Sequence, residues 1–307
     1  MNAIRGGPLA AFGRTGESMK VYLSLMVVLL VASVNTGFGQ VRVIAIGAHP
    51  DDCDLQASGT AQLLEAAGAK VKFVSITNGD GGHPTQGGGA LGRRRRAEAI
   101  EAARRIGIEE YEVLDHHDGE LMPTLEIRHE LIRIIRRWKA DVVIGHRTND
   151  YYCDHRYAGV LVMDTSLQVV VPNICSETPP LEKNPVYLYF QDDFKEPNPF
   201  RPDIAIAIDE VFQKKVFGLD AHVSQFYEWL PWLYRYTADV PSTPEARLAW
   251  LAKTRTRPIT PDVRTALEHW YGPDKASHIA HAEAFEISEY GTKPTEADLR
   301  RLFPMLK

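Results

Sequence analysis

The stretch Val41-Arg42-Val43-Ile44-Ala45-Ile46-Gly47-Ala48-His49-Pro50-Asp51-Asp52-Cys53-Asp54 decides the architecture. Apart from Arg42, its opening run is apolar and does not alternate. Such a run suits a strand covered on both faces of a parallel sheet. It then breaks into a histidine, a proline and adjacent carboxylates. Downstream, the spacing predicts a helix over Ser58–Ala67, ended by Gly68, and a second buried strand over Val71–Thr77. Strand, polar turn, helix and strand is the repeat from which parallel sheets are built.

The repeat continues. Asn78–Gly92 reads as a glycine-rich loop of functional length. Helices are predicted over Arg93–Ile106, Thr124–Trp138 and Tyr157–Val171, and strands over Tyr111–Leu114, Asp141–Gly145, Val186–Phe190 and Ile204–Ile208. A last helix over Asp209–His222 starts at an aspartate cap. The expectation is an α/β, Rossmann-like three-layer fold with a mostly parallel sheet, whose functional loops lie at the C-terminal ends of the strands. Beyond Ser224 aromatic residues cluster between Phe226 and Tyr236, and the chain then turns polar and proline-interrupted. Residues 224–307 are read as a helical C-terminal extension packed on a main domain of residues 41–223.

Residues 1–40 are read as a signal peptide or N-terminal anchor. Lys20 precedes the apolar run Val21–Val34, and small residues around Gly37 and Gly39 follow it. The run is short for a transmembrane helix. The expected location is therefore secreted or periplasmic, with a membrane contact only through an uncleaved N-terminal segment. The net charge of −5 gives no footprint for nucleic-acid binding. Three cysteines, Cys53, Cys153 and Cys175, do not make a disulfide framework.

Two clusters carry chemistry. His49, Asp51 and Asp52 follow the first strand. His146-Arg147-Thr148-Asn149-Asp150-Tyr151-Tyr152-Cys153-Asp154-His155 follows the fourth. A catalytic zinc typically takes three protein ligands from histidine nitrogen and carboxylate oxygen. By spacing alone, metal binding and an acidic turn capping the next helix are both open for the first cluster, and a lone His155 reads as a helix-cap contact. Together the clusters can meet around one ion.

The strand followed by Ala-His-Pro-Asp-Asp, with Asp-His after a later strand, resembles the PIG-L or LmbE-like N-deacetylases over roughly Val41 to Trp229. The Thr77-Asn78-Gly79-Asp80 loop, the arginine-rich start of the following helix and Leu114–Gly119 share in the likeness. The resemblance implies His49, Asp52 and His155 as zinc ligands, with another divalent ion such as Fe2+ as the alternative. It implies Asp51 as general base, with a zinc-bound water as the nucleophile. Arg95, or another of Arg93–Arg96, and Asp118 match sugar-contacting residues, and Asp154 matches a carboxylate that tunes activity. The implied reaction is metal-dependent removal of the N-acetyl group from an amino sugar such as N-acetylglucosamine, on a small-molecule or glycan substrate. A zinc amidase for another acylated amine and a carbohydrate-binding pseudoenzyme are the rival readings.

Two departures from the family pattern stand out. Where it usually reads His-Pro-Asp-His, this chain has Tyr152-Cys153-Asp154-His155. Tyr152 can donate a hydrogen bond to an oxyanion but is a poorer acid than histidinium. His83, His116 and His117 are further candidates for the missing donor. Cys53 stands where the family commonly has glutamate. Cys53 and Cys153 flank the ligands, so a disulfide or a soft extra ligand is one reading, and two small buried thiols the favoured one.

Overall fold

The computed structural model describes residues 40–306, so the signal or anchor expected in residues 1–40 lies outside them, Gln40 apart. The strands are β1 (Arg42–Gly47), β2 (Lys70–Thr77), β3 (Glu110–His116), β4 (Val142–Gly145), β5 (Val186–Phe190), β6 (Ile204–Ala207) and β7 (Ala282–Gly291). They form one sheet in the order β3-β2-β1-β4-β5-β7-β6. β1 pairs in parallel with β2 on one side and β4 on the other, while β7 runs antiparallel to both β5 and β6. The central strand shows why its sequence does not alternate. Val43 and Ala45 enter the apolar core on one face, and Ile44 and Ile46 the core on the other. Full burial of the valine and of each isoleucine contributes about 1.5–3 kcal/mol.

Helices cover both faces. α1 (Asp52–Ala66), α2 (Gly88–Ile106) and α5 (Phe212–Leu219) share one layer, and α3 (Leu125–Trp138) and α4 (Cys153–Gln168) the other. α3 follows its sequence closely. Thr124 caps it by accepting from the Ile127 N–H, Ile127, Leu131, Ile132 and Ile135 are buried, and Lys139 ends it at a left-handed φ of 54°. The chain leaves β1 for β2 and β3 on one side, and returns to β4 on the other. The C-terminal ends of β1 and β4 therefore flank a topological switch point, where α/β sheets bind ligands.

The region after Ser224 is mostly helical, as expected, and adds one strand that sequence reading did not give. It contains a π-helical segment, Ser224–Trp229, and helices α6 (Pro244–Arg255), α7 (Pro261–Tyr271), α8 (Pro273–His278) and α9 (Glu296–Leu302). It also supplies β7, which lies inside the sheet between β5 and β6. Residues 40–306 form one compact unit. β7 escapes sequence reading because its inward residues include Glu283. That carboxylate is buried but fully partnered. It accepts from the backbone N–H groups of Gly59 at 2.9 Å and Thr60 at 2.7 Å, in the middle of α1, and pairs with Lys215 Nζ at 2.6 Å. Lys215 also donates to the Leu55 carbonyl at 2.7 Å. An ion pair thus inserts into α1 at a point where helical N–H groups would otherwise bond only carbonyls four residues back.

Candidate metal centre and active site

Both sequence clusters arrive at the switch point. His49 and Asp51 sit in the turn after β1, and Asp52 begins α1. Tyr152 caps α4, and Cys153, Asp154 and His155 form its first turn. Both helices start earlier than their apolar periodicity suggests, because their first turns carry polar groups directed at the site. Helix N-termini favour carboxylates such as Asp52 and Asp154.

His49, Asp52 and His155 come together as expected. His155 Nε2 faces His49 Nδ1 at 3.2 Å, and Asp52 lies 3.4 Å from His155 Nε2 and 3.5 Å from His49 Nδ1. Donor atoms around a tetrahedral ion with ligand distances of about 2.1 Å stand about 3.4 Å apart. The two nitrogens meet this spacing, and the carboxylate spans it with both oxygens, Oδ1 toward His155 and Oδ2 toward His49. The far nitrogens strengthen the fit. His155 Nδ1 lies 3.1 Å from Asp150 Oδ1, and His49 Nε2 lies 3.2 Å from Asp118 Oδ1 and 3.4 Å from Asp154 Oδ2. A metal-bound histidine typically gives its other N–H to such a carboxylate. His49 Nε2 is buried and makes no well-aligned hydrogen bond.

The local field is that of a site short of positive charge. Burial opposes a charged His49, yet Asp118, Asp154 and Asp52 raise its pKa well above the ordinary value. Burial likewise opposes ionised Asp52, but the charges of His155 and His146 pull its pKa far down. His155 is raised against burial by Asp52 and Asp150. Asp118 is held at about 2 despite its desolvation, by His49 and then Arg95 and Tyr152. Several buried carboxylates thus share one guanidinium and whatever protons the histidines hold. A divalent cation at the triangle would answer that deficit.

Of the four arginines, Arg95 is the one turned inward, at 2% exposure. Its guanidinium reaches Asp51 Oδ1 at 3.3 Å, Asp118 Oδ2 at 3.4 Å and the Gly79 carbonyl at 3.2 Å. Gly79 is required there: its φ is +71°, and a Cβ would stand 2.4 Å from Arg95 Nη1. Arg95 and Asp118 therefore direct their polar atoms at Asp51 and His49. Asp154, 0% exposed, accepts from the Gly119 N–H at 2.7 Å and the Leu121 N–H at 3.3 Å, so it fastens the loop after β3 beneath His49.

Tyr152 stacks on His49 with ring centroids 5.3 Å apart and donates its hydroxyl to Asp118 Oδ1 at 3.2 Å. Desolvation, and then the Asp118 charge, push its phenol up to about 12. It therefore stays a protonated donor at neutral pH. His83, His116 and His117 are instead tied to Glu228, Glu130 and Asp80. His83 also helps hold the glycine-rich loop, since Glu228 takes a bidentate Arg94 and Gln225 Nε2 donates to the Gly82 carbonyl. The cysteines are free. Cys53 lies one residue along α1 from Asp52, so it faces the core and donates to the Val74 carbonyl, while Cys153 Sγ donates to Asp154 Oδ1. The disulfide reading falls; Cys53 is the buried thiol expected, while Cys153 is only half-buried.

Sequence reasoning passed over two residues. His146, the first residue after β4, is buried, stacks on His155 at 4.3 Å and 14°, and brings Nε2 to 3.1 Å from Asp52 Oδ2. Burial, and then the charge of His155, lower its pKa. Asp150 orients His155. Their signal was position: both belong to the stretch after β4, at the switch point.

Comparison with known proteins agrees with this geometry. The sequence profile of the family described as PIG-L, GlcNAc-PI de-N-acetylase, matches residues 44–166. The diacetylchitobiose deacetylase of Thermococcus kodakarensis is 29% identical over 223 residues, covering 65% of this chain and 78% of that protein. The structure of N,N'-diacetylchitobiose deacetylase from Pyrococcus horikoshii superposes with a TM-score of 0.61 at 22% identity, covering 90% of this chain and 95% of that one. The 4-carboxy-2-hydroxymuconate hydratase GalB of Pseudomonas putida superposes at 0.62 with 18% identity, covering 83% of this chain and 99% of that one, so the fold by itself does not fix the reaction. Sequence profile and sequence relative point the same way: residues 44–166 of the chain match the PIG-L, or LmbE-like, family.

Proposed function

We propose that the protein is a zinc-dependent N-deacetylase that hydrolyses the N-acetyl group of an amino sugar of the N-acetylglucosamine type. The observation that carries this reading is the triangle of His49, Asp52 and His155, with Asp51 held beside it by Arg95. The deacetylase relatives support the choice of chemistry over the fold's other uses. Zinc bound there would polarise the amide carbonyl and acidify water. Asp51, oriented by Arg95, accepts the proton of the attacking water and returns one to the departing amine. Tyr152, whose hydroxyl rests on Asp118, is the donor placed to stabilise the oxyanion in place of the family's histidine. Fe2+ is the alternative ion. We assign the activity to the secreted or periplasmic space, on the strength of the apolar segment Val21–Val34.

The Tyr152–Asp118 bond also supports a second reading, a glycan-binding protein that no longer turns over. Amine release from N-acetylglucosamine and chitobiose, measured after chelation and again after stoichiometric zinc, separates the two. Release that returns with zinc and vanishes in Asp51→Asn supports the enzyme. No release from a zinc-loaded protein that still binds the sugar supports the binder.

A further inference from the structure

One pair of buried ionisable groups lies near the site and takes no part in the chemistry. His222 and Asp54 are both 0% exposed, and His222 Nε2 lies 3.2 Å from Asp54 Oδ2. Otherwise neither side chain makes a well-aligned hydrogen bond. Burial opposes a charge on His222, but Asp54 and then Asp51 raise its pKa. Taking such a pair out of water is costly, and two apolar side chains would join the same helices as well or better. Its place therefore calls for an account.

Asp54 stands in the first turn of α1, just after Asp51, which occupies the N-cap position. An aspartate at that position ordinarily accepts a backbone N–H of its own first turn. Asp51 does not, and its carboxylate reaches Arg95 instead. The turn that carries the base thus lacks its usual internal fastening, and the tie from Asp54 to His222 takes that role.

The residues that follow His222 fasten the other side of the same contact. Ser224 donates its backbone N–H at 3.0 Å and its hydroxyl at 2.6 Å to Glu98, one turn along α2 from Arg95. Gln225 donates to the Gly82 carbonyl at 3.1 Å. Gly82 packs close to Arg95 and Asp118, since a Cβ on it would stand 3.3 Å from Arg95 Nη1 and 3.3 Å from Asp118 Oδ2. Both Ser224 and Gln225 are buried. A single short stretch, His222–Gln225, therefore holds the turn bearing Asp51, the helix bearing Arg95 and the loop packed against Arg95.

We propose that His222 and Gln225 are positioning residues, which clamp the first turn of α1 to the glycine-rich loop and so set Asp51 against Arg95. The effect on catalysis rests on the deacetylase reading, whereas the clamp itself has a readout that needs no turnover.

His222→Leu, Gln225→Leu and His222→Gln are compared with the wild type in steady-state amine release from chitobiose, in zinc affinity by chelator competition, and in hydrogen exchange read by mass spectrometry. Misplacing a reacting group by about 1 Å costs up to about 100-fold, so each leucine variant should lower kcat by about 10- to 100-fold, with KM and zinc affinity within about threefold of wild type. His222→Gln keeps a donor for Asp54 and should recover most of kcat. Exchange should quicken by about threefold or more on the far side of the clamp. His222→Leu should quicken it in the glycine-rich loop, to which His222 makes no hydrogen bond, and Gln225→Leu at the start of α1, to which Gln225 makes none. Should His222→Leu fail to fold, with Asp54 left buried and unpaired, Gln225→Leu and His222→Gln carry the test. A kcat loss below about threefold in the leucine variants, a loss matched by lost zinc, or exchange confined to each variant's own contacts would overturn the clamp. A wild type that releases no amine would defeat the hydrolase reading; exchange on the far side would then still uphold the clamp, and purely local exchange would overturn it.

Discussion

Asp150→Asn tests whether His155 is a metal ligand set by its neighbour. In the folded protein Asp150 Oδ1 sits 3.1 Å from His155 Nδ1, which fixes the proton on that nitrogen and leaves Nε2 free to face His49 and Asp52. Asparagine keeps the shape but removes the charge and can present the wrong group. Loss of such an outer partner typically costs about 10- to 100-fold in metal affinity, or roughly 1.4–2.7 kcal/mol. His146 still stacks on the other face of the ring at 4.3 Å, so the lower half of that range is expected. The pH dependence should move as well. Asp52 and Asp150 raise the His155 pKa. A proton on the ring excludes the metal, so wild-type affinity falls as pH drops through that raised value. Removing one of the two carboxylate contributions shifts this fall to lower pH. The assay is competition for zinc with a chromogenic chelator between pH 5 and 8. An affinity within threefold of wild type at neutral pH, with no shift of the pH window, would refute the assignment of Asp150 and weaken that of His155.

Tyr152→Phe should lower kcat by about 100- to 1,000-fold with little change in KM, as expected for an oxyanion donor; a loss below threefold in steady-state kinetics would place the donor elsewhere. Lys215→Met leaves Glu283 buried on two backbone N–H groups without its cation, and should destabilise the fold by about 3–5 kcal/mol in urea unfolding; a cost under 1 kcal/mol would show the pair to be dispensable. Gly159→Ala places a Cβ 2.5 Å from the Arg147 carbonyl oxygen and 2.8 Å from that of His146. The clash should cost about 1–3 kcal/mol and, by moving α4 from the strand end, weaken zinc binding; unchanged thermal melting and zinc affinity would contradict the close packing described here.

The parts of the fold legible in sequence are those whose residues meet locally dictated partners. β1, β2 and β4 are buried on both faces by neighbouring helices, so their apolar runs announce them. The candidate ligand set is legible because each half lies in one contiguous stretch that follows such a run. Where the reading stopped short, the cause was long range. α1 and α4 begin at Asp52 and Cys153, a turn or more before apolar spacing resumes, because the polar cluster and not the core occupies their first turns. β7 reads as polar because the partners of Glu283, at Gly59, Thr60 and Lys215, lie far away in the chain. His146 looked like one histidine among many until the sheet order put it opposite Asp52.

The place of β7 has a consequence for biosynthesis. β5 and β6 are neighbours in sequence but not in the sheet, and each bonds to a strand made later than both. A ribosome releasing this chain has already delivered both ligand clusters, and the strands that carry them can pair, while the sheet still has a gap one strand wide. Until residues 282–291 emerge, the facing edges of β5 and β6 offer unpaired backbone groups to any other extended chain. A late stall or a truncation near residue 280 should therefore yield aggregation, with loss of far more than the C-terminal segment itself.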